Sequence, residues 1–288
     1  MTQQPKQSLA EKLVVRIPYV WLLVFFLLPL LILFRISVSH SAQSQPPYAP
    51  FFILSLDWHG VSAFFGALSF GNYAIVISDP SYLLSFVKSI EVAAFSTLLL
   101  LVIGYPIAYG IARTPRHIRA VLMTLIVLPL WISVLIRGYA LVTILQHAGP
   151  SWLGTDTAVF IGIVYAYLPL MVLPLYTTLR KLDETLLEAA ADLGCPRWKI
   201  FWDITLPLSA PGVLTGALLC FVPAVGAFVI PDLLGNAQAP MIGQTIWAAF
   251  FGNKDWPTAA ALATVLVGFL IAPIVILQHQ AIRAAGRD

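Results

Sequence analysis

Charge is what this sequence has least of. Only 10% of its 288 residues are Asp, Glu, Lys or Arg, and 59% are apolar; soluble domains carry roughly 25% charged residues. With a mean hydropathy of +0.88, the chain cannot cover a soluble fold of this size with polar surface. Cysteine is scarce as well. Cys195 and Cys220 stand alone, which excludes a disulfide framework and a cysteine-rich metal site. The net charge of +3 is small and its carriers are dispersed, which excludes a nucleic-acid binder. Enzyme signatures are missing too. There is no G-x-x-x-x-G-K-[ST] phosphate loop, no H-E-x-x-H and no G-x-S-x-G. His40, His59, His117, His147 and His279 are scattered. Metal ligation and catalysis within the chain therefore have no sequence support, and the composition is that of an all-α integral membrane protein.

What is present is a series of long apolar runs. A spanning helix needs about 20 mostly apolar residues, and runs of that order occupy 17–34, 92–112, 120–136, 157–179, 204–231 and 258–282. The second is expected to begin near Leu83, bringing Lys88 and Glu91 into the helix, and the third to continue past Arg137 toward Ile144. The stretch 233–253 is weaker. Only 241–251 is densely apolar, which is too short to cross and fits an interfacial or re-entrant helix. The expectation is six transmembrane helices. Lys6, Lys12 and Arg16 before the first run also describe a signal peptide, but 18 uncharged residues exceed its usual apolar region, so an uncleaved helix is expected.

Six spans place 12 of the 16 Lys and Arg on one side, in the N-terminus, the 113–119 turn, the 180–203 loop and the C-terminus. By the positive-inside rule both termini are cytoplasmic. The resulting organisation is a cytoplasmic segment 1–16, a transmembrane domain 17–282 and a cytoplasmic tail 283–288. The outer segments are 40–82, 146–156 and 232–257. Within the fifth span, Gly212-x-x-x-Gly216 is a close-packing signal.

The most informative segment is the cytoplasmic loop 180–203, which holds nine charged side chains in 24 residues. Leu186, Leu187, Ala190 and Leu193 fall on one helical stripe behind Asp183 and Glu184, which favour a helix start. Gly194 ends that helix, Cys195-Pro196 restarts the chain, and Trp198, Phe201 and Trp202 form an aromatic ledge suited to the interface. Glu188-Ala189-Ala190, three residues, Gly194, nine residues and Ile204-x-Leu206-Pro207 reproduce a complete E-A-A-x3-G-x9-I-x-L-P pattern.

In that pattern the sequence resembles bacterial ABC importer permeases of the type I, MetI-like fold. The segments 104–109, 128–137, 167–176, 228–235 and 255–257 further resemble one branch, the first permease subunit of spermidine/putrescine importers. One departure is the outer connection 146–157, which is shorter than that branch leads one to expect. The resemblance implies an ATPase-coupling loop carried by Glu188, Ala189, Ala190, Gly194, Ile204, Leu206 and Pro207. It implies a second permease subunit, two cytosolic ATPases that bind the ATP and Mg, and a periplasmic solute-binding protein, all at the bacterial inner membrane. The chain itself would hold no cofactor and would not be an enzyme.

For a polyamine, the intramembrane or interfacial candidates are Asp232 and Glu91 as carboxylates and Trp131, Tyr139, Tyr165 and Tyr167 as cation–π surface. Asp232 as an interface cap and the aromatics as membrane belts are the alternatives. Lys88 and Glu91, three apart, share a helix face and can pair; Arg137 opposes a simple cation funnel. An importer of another small organic solute (opine, amino-acid-like or aminophosphonate) remains open. An ion-coupled secondary transporter would be expected to show internal repeats, none of which is evident, and a membrane scaffold would leave the loop pattern unexplained.

Overall fold

The computed structural model describes residues 9–50, 66–235 and 239–285. Of the residues named above, Lys6 and His59 lie outside the described residues, as do 1–8 and 286–288 of the two terminal segments. The side chains of Lys12, His279 and Arg283 are likewise outside them.

Apart from one short β ladder the described chain is helical, and it divides into two units: residues to 79 with 248–269, and 80–247 with the remainder. In the first unit, α1 (Leu9–Leu22) passes through a π turn into α2 (Leu28–Ser37). Together Arg16–Ser37 forms a span with none of its apolar window buried within the chain. Strands β1 (His40–Ser41) and β2 (Tyr48–Ala49) pair antiparallel, and α3 covers Gly71–Ser78. Asn72 Nδ2 donates to the carbonyls of Ser37 (2.8 Å) and Ser39 (2.7 Å), satisfying carbonyls at the buried end of α2. Ser41 Oγ donates to Asp255 Oδ1 at 2.6 Å, and the Tyr48 and Trp256 rings stack. A groove of about 1300 Å³ runs between the hairpin and residues 250–256.

The second unit is built on α4 (Pro80–Arg113), α7 (Asp156–Leu179) and α10 (Leu206–Val225). Their shared core includes Leu100, Ala108, Met171, Leu175, Leu179 and Cys220, all buried. Small residues set its spacing. A Cβ on Gly212 would stand 2.6 Å from Thr178 Oγ1, and one on Gly216 2.8 Å from Met171 Sδ. The close-packing signal read from the sequence is thus a helix–helix contact with α7. Gly104 makes the same kind of approach from α4, 2.9 Å from Met171 Cγ.

Span three differs from expectation. Instead of one helix across 120–136, the chain forms α5 (Arg116–Val127), a 3₁₀ turn (Leu128–Trp131) and α6 (Val134–Ala148). The two arms meet at 98°. Pro129 has no N–H to continue the helical ladder, and Ile132 (φ −92°, ψ 133°) and Ser133 (ψ 140°) are extended. An apolar run does not register such a break, because hydropathy is unchanged across it. Span five is also displaced from 204–231, running from Arg197 to Val225. α10 stops at Val225, and α11 (Val229–Leu234) is a separate helix after Gly226. The expected short helix in 241–251 is present as α12 (Ile242–Trp247) followed by a π turn, Ala248–Gly252. Gly243 brings the start of α12 against the Gly226 and Ala227 carbonyls, where a Cβ would be 2.7 and 2.6 Å away. The last helix, α13 (Trp256–Ala285), begins at an Asp255 carboxylate that caps Thr258 N. Among the described residues, four helices are long and apolar enough to cross a membrane, five if the bent pair is one span, and α13 is apolar from Trp256 to Ala272.

Candidate functional site

The loop after α7 folds from its own caps. Asp183 Oδ1 accepts from Thr185 N at 3.0 Å and starts α8 (Glu184–Asp192), with Glu184 in the first turn. At the other end Cys195 N donates to Ala190 O (3.1 Å) and Gly194 N to Ala191 O (2.9 Å). This is a Schellman closure, and it requires the left-handed conformation that Gly194 adopts, φ +78°. Pro196 then caps α9 (Arg197–Ile200), which passes through the π turn Phe201–Thr205 into α10, with Pro207 in its first turn.

The seven pattern residues divide by environment. Glu188, Ala189, Gly194 and Pro207 are exposed, whereas Ala190, Ile204 and Leu206 are half-buried. Leu206, Phe201 and Leu182 pack against the core of α4, α7 and α10. The loop is therefore rooted at both ends, and its middle is a free surface. Two expectations need correction. The stripe on α8 is split, because Leu187 and Ala190 turn inward while Leu186 and Leu193 are exposed, Leu193 at 89%. In the aromatic ledge Trp198 and Trp202 are exposed, but Phe201 is half-buried: its ring lies between the two sides, edge-on to Trp202 at 5.5 Å and to Tyr105 at 5.4 Å. Among the described residues the ion pair of this helix is made by Glu184, with Arg113, and not by Glu188.

The substrate-path candidates do not form one constellation. Asp232 is exposed in α11, Trp131 is 88% exposed at the bend, and Tyr139 and Tyr165 are exposed on α6 and α7. Tyr167 is half-buried and its hydroxyl donates to Pro223 O at 3.5 Å. Among the described residues no ring contact joins these four aromatics. Glu91 is exposed on α4, 3.7 Å from Lys88. The stronger partner of Lys88 is Asp156 at 2.6 Å, in the first turn of α7. Sequence reading missed Asp156 because 68 residues separate the pair, and no local pattern records such a contact. Asp156 is half-exposed, so Asp156→Asn is expected to lower stability by only about 1 kcal/mol, read as a small fall in thermal midpoint. Arg137 is buried on α6, and its Nη1 donates to Ala166 O at 3.3 Å while Nε has no partner. No carboxylate among the described residues pairs with it.

Comparison with known proteins agrees with this architecture. The family described as binding-protein-dependent transport system inner membrane component matches residues 101–281. The spermidine/putrescine transport system permease protein PotB of Escherichia coli is 36% identical over 269 residues, covering 87% of this chain and 91% of that protein. PotB of Haemophilus influenzae is 34% identical over 279 residues, with 91% of each covered. A bacterial alginate ABC transporter, solved in complex with an alginate pentasaccharide-bound periplasmic protein, contains a chain of the same fold. Its TM-score is 0.68 at 15% identity, covering 95% of this chain and 94% of that one. A multi-pass membrane protein homologous to permease subunits, the chain belongs to the family of inner membrane components of binding-protein-dependent transport systems.

Proposed function

We propose that this chain is one of two different permease subunits of an ATP-driven importer that moves putrescine or spermidine inward across the bacterial inner membrane. A periplasmic binding protein delivers the solute. Two cytosolic ATPases bind ATP and Mg and dock on the 180–203 loop. In this reading the chain crosses six times, with the bent α5–α6 pair as span three, α13 as span six and both termini cytoplasmic. The observation that carries it is the loop itself. A capped helix rooted in the core exposes Glu188 and Ala189 on a surface with little side-chain bulk, the form a docking element needs. Homology to PotB along nearly the whole chain supports the polyamine.

In operation, ATP-driven closure of the ATPase pair moves α8. The core contacts of Leu206 and Phe201 pass that movement to the spans, and the pathway opens toward the docked binding protein. Asp232 attracts the arriving cation, with the exposed aromatic faces as secondary contacts. The buried cation at Arg137 favours a second reading, import of a small solute that also carries an anionic group. Calorimetry on the partner binding protein decides between them: retention of spermidine or putrescine supports the first, and retention of a zwitterion the second. Asp232→Asn is expected to raise the KM for uptake severalfold without altering assembly. An unchanged KM would remove Asp232 from the path.

A further inference from the structure

One face of α4 holds both ends of the 180–203 loop. Tyr105, Tyr109 and Arg113 recur every fourth residue at the end of this helix, so they lie in one row. Arg113, its last residue, donates from Nη1 to Glu184 Oε1 at the very start of α8. The guanidinium sits over the Tyr109 ring, 5.4 Å from its centroid, and Tyr109 packs on the buried core. Two turns back, Tyr105 meets the far end of the loop. Its ring is edge-on to Phe201, and its hydroxyl lies 2.8 Å from Ser209 Oγ in a buried contact. Ser209 spends its own proton on Leu206 O at 3.0 Å, so Tyr105 is the donor.

We propose that α4 is the element that receives the coupling movement, with Arg113 and Tyr105 as positioning residues gripping the loop at its two ends. This rests on the reading of 180–203 as the ATPase-coupling loop. A helix of 34 residues that continues through Pro106 is about 50 Å long, and its close-packed contacts transmit strain. A displacement of α8 is therefore carried along α4 to its opposite end, where Lys88 holds Asp156 at the start of α7. Glu184 is largely exposed, so the Arg113–Glu184 pair adds little to stability. Its importance lies in the direction in which the loop pulls.

The test uses the full chain co-expressed with its ATPase and second permease, reconstituted with the binding protein, and reads solute imported per ATP hydrolysed. Arg113→Glu and Glu184→Arg are each expected to lower that ratio about tenfold. The exchange R113E/E184R should restore at least half of it. Tyr105→Phe, which keeps the ring on Phe201 and removes the hydroxyl, should lower the ratio by less. A wild-type ratio in the single variants overturns the proposal, as does a double variant no better than either single. So does a loss matched by an equal fall in thermal midpoint or in co-purified ATPase, which would make the pair a folding or docking contact. Should Arg113→Glu fail to insert, Glu184→Arg decides alone: a tenfold fall supports the proposal and an unchanged ratio overturns it. Gly194→Asp in the same preparation separates the two levels. If it imports normally, the coupling-loop reading falls; if it uncouples while the charge variants do not, only the role of α4 falls.

Discussion

Gly194→Asp is expected to reduce ATP-driven uptake about tenfold or more while leaving the protein inserted and assembled in the membrane. The structure separates these two effects. A Cβ at Gly194 meets nothing within 4 Å, so no packing is lost. The left-handed backbone, φ +78°, adds strain of about 1 kcal/mol for a residue other than glycine, less for Asp and Asn than for most. Function suffers because the new carboxylate stands on the exposed end of α8, beside Leu193 and Ala189, where the partner is expected to approach. Gly194→Asn, of equal size and comparable backbone tolerance but uncharged, should retain more uptake than the Asp variant. Equal losses would place the effect in backbone strain, and wild-type uptake by Gly194→Asp would remove this surface from coupling.

The second large effect is on stability. Gly212→Ala places a methyl group 2.6 Å from Thr178 Oγ1, 2.8 Å from Thr178 Cβ and 3.0 Å from the Pro174 carbonyl. A rotamer change at Thr178 moves only the first of these, so α10 must separate from α7 along the buried seam of Met171, Leu175 and Cys220. Overpacking of this kind is expected to destabilise by about 3 kcal/mol, measured as a lower thermal midpoint in mild detergent. Gly110→Ala is the matched comparison. Nothing lies within 4 Å of its Cβ, so alanine's helix preference should leave α4 unchanged or up to about 1 kcal/mol more stable. Similar midpoints for the two variants would show that the α7–α10 approach is not tight.

These two glycines also show how much could be read from the chain. Gly212 and Gly194 were both legible, one from its four-residue spacing with Gly216 and the other from its place behind an apolar stripe. Both rules are local, and both conformations are set locally. The apolar runs were legible for the same reason, since length and hydropathy alone specify that a helix is able to cross. The break after Leu128 was not, because Pro129 and Ile132 interrupt hydrogen bonding without changing hydropathy. The Lys88–Asp156 pair, the inward turn of Phe201 and the burial of Arg137 depend on which helices become neighbours, and a single sequence carries no record of that. For the substrate-path candidates the sequence supplies chemistry, acidic and aromatic, but the direction of each side chain follows from helix rotation, which the apolar runs leave undefined.

The sharp turn in span three has a consequence for how the molecule is seated in the bilayer. The first peptide N–H groups of α6 have no helical acceptor, and Ser133 offers them no side-chain cap. Hydrocarbon offers none either, and bare peptide groups are not tolerated against lipid tails. The corner at Ile132-Ser133 must therefore face water or another polypeptide, despite the greasy side chains around it. That makes Trp131 and Ile132 a compass for the fold. The side on which they lie is turned away from the acyl chains, and oily residues at this corner mark a seam or a lumen wall rather than the annulus.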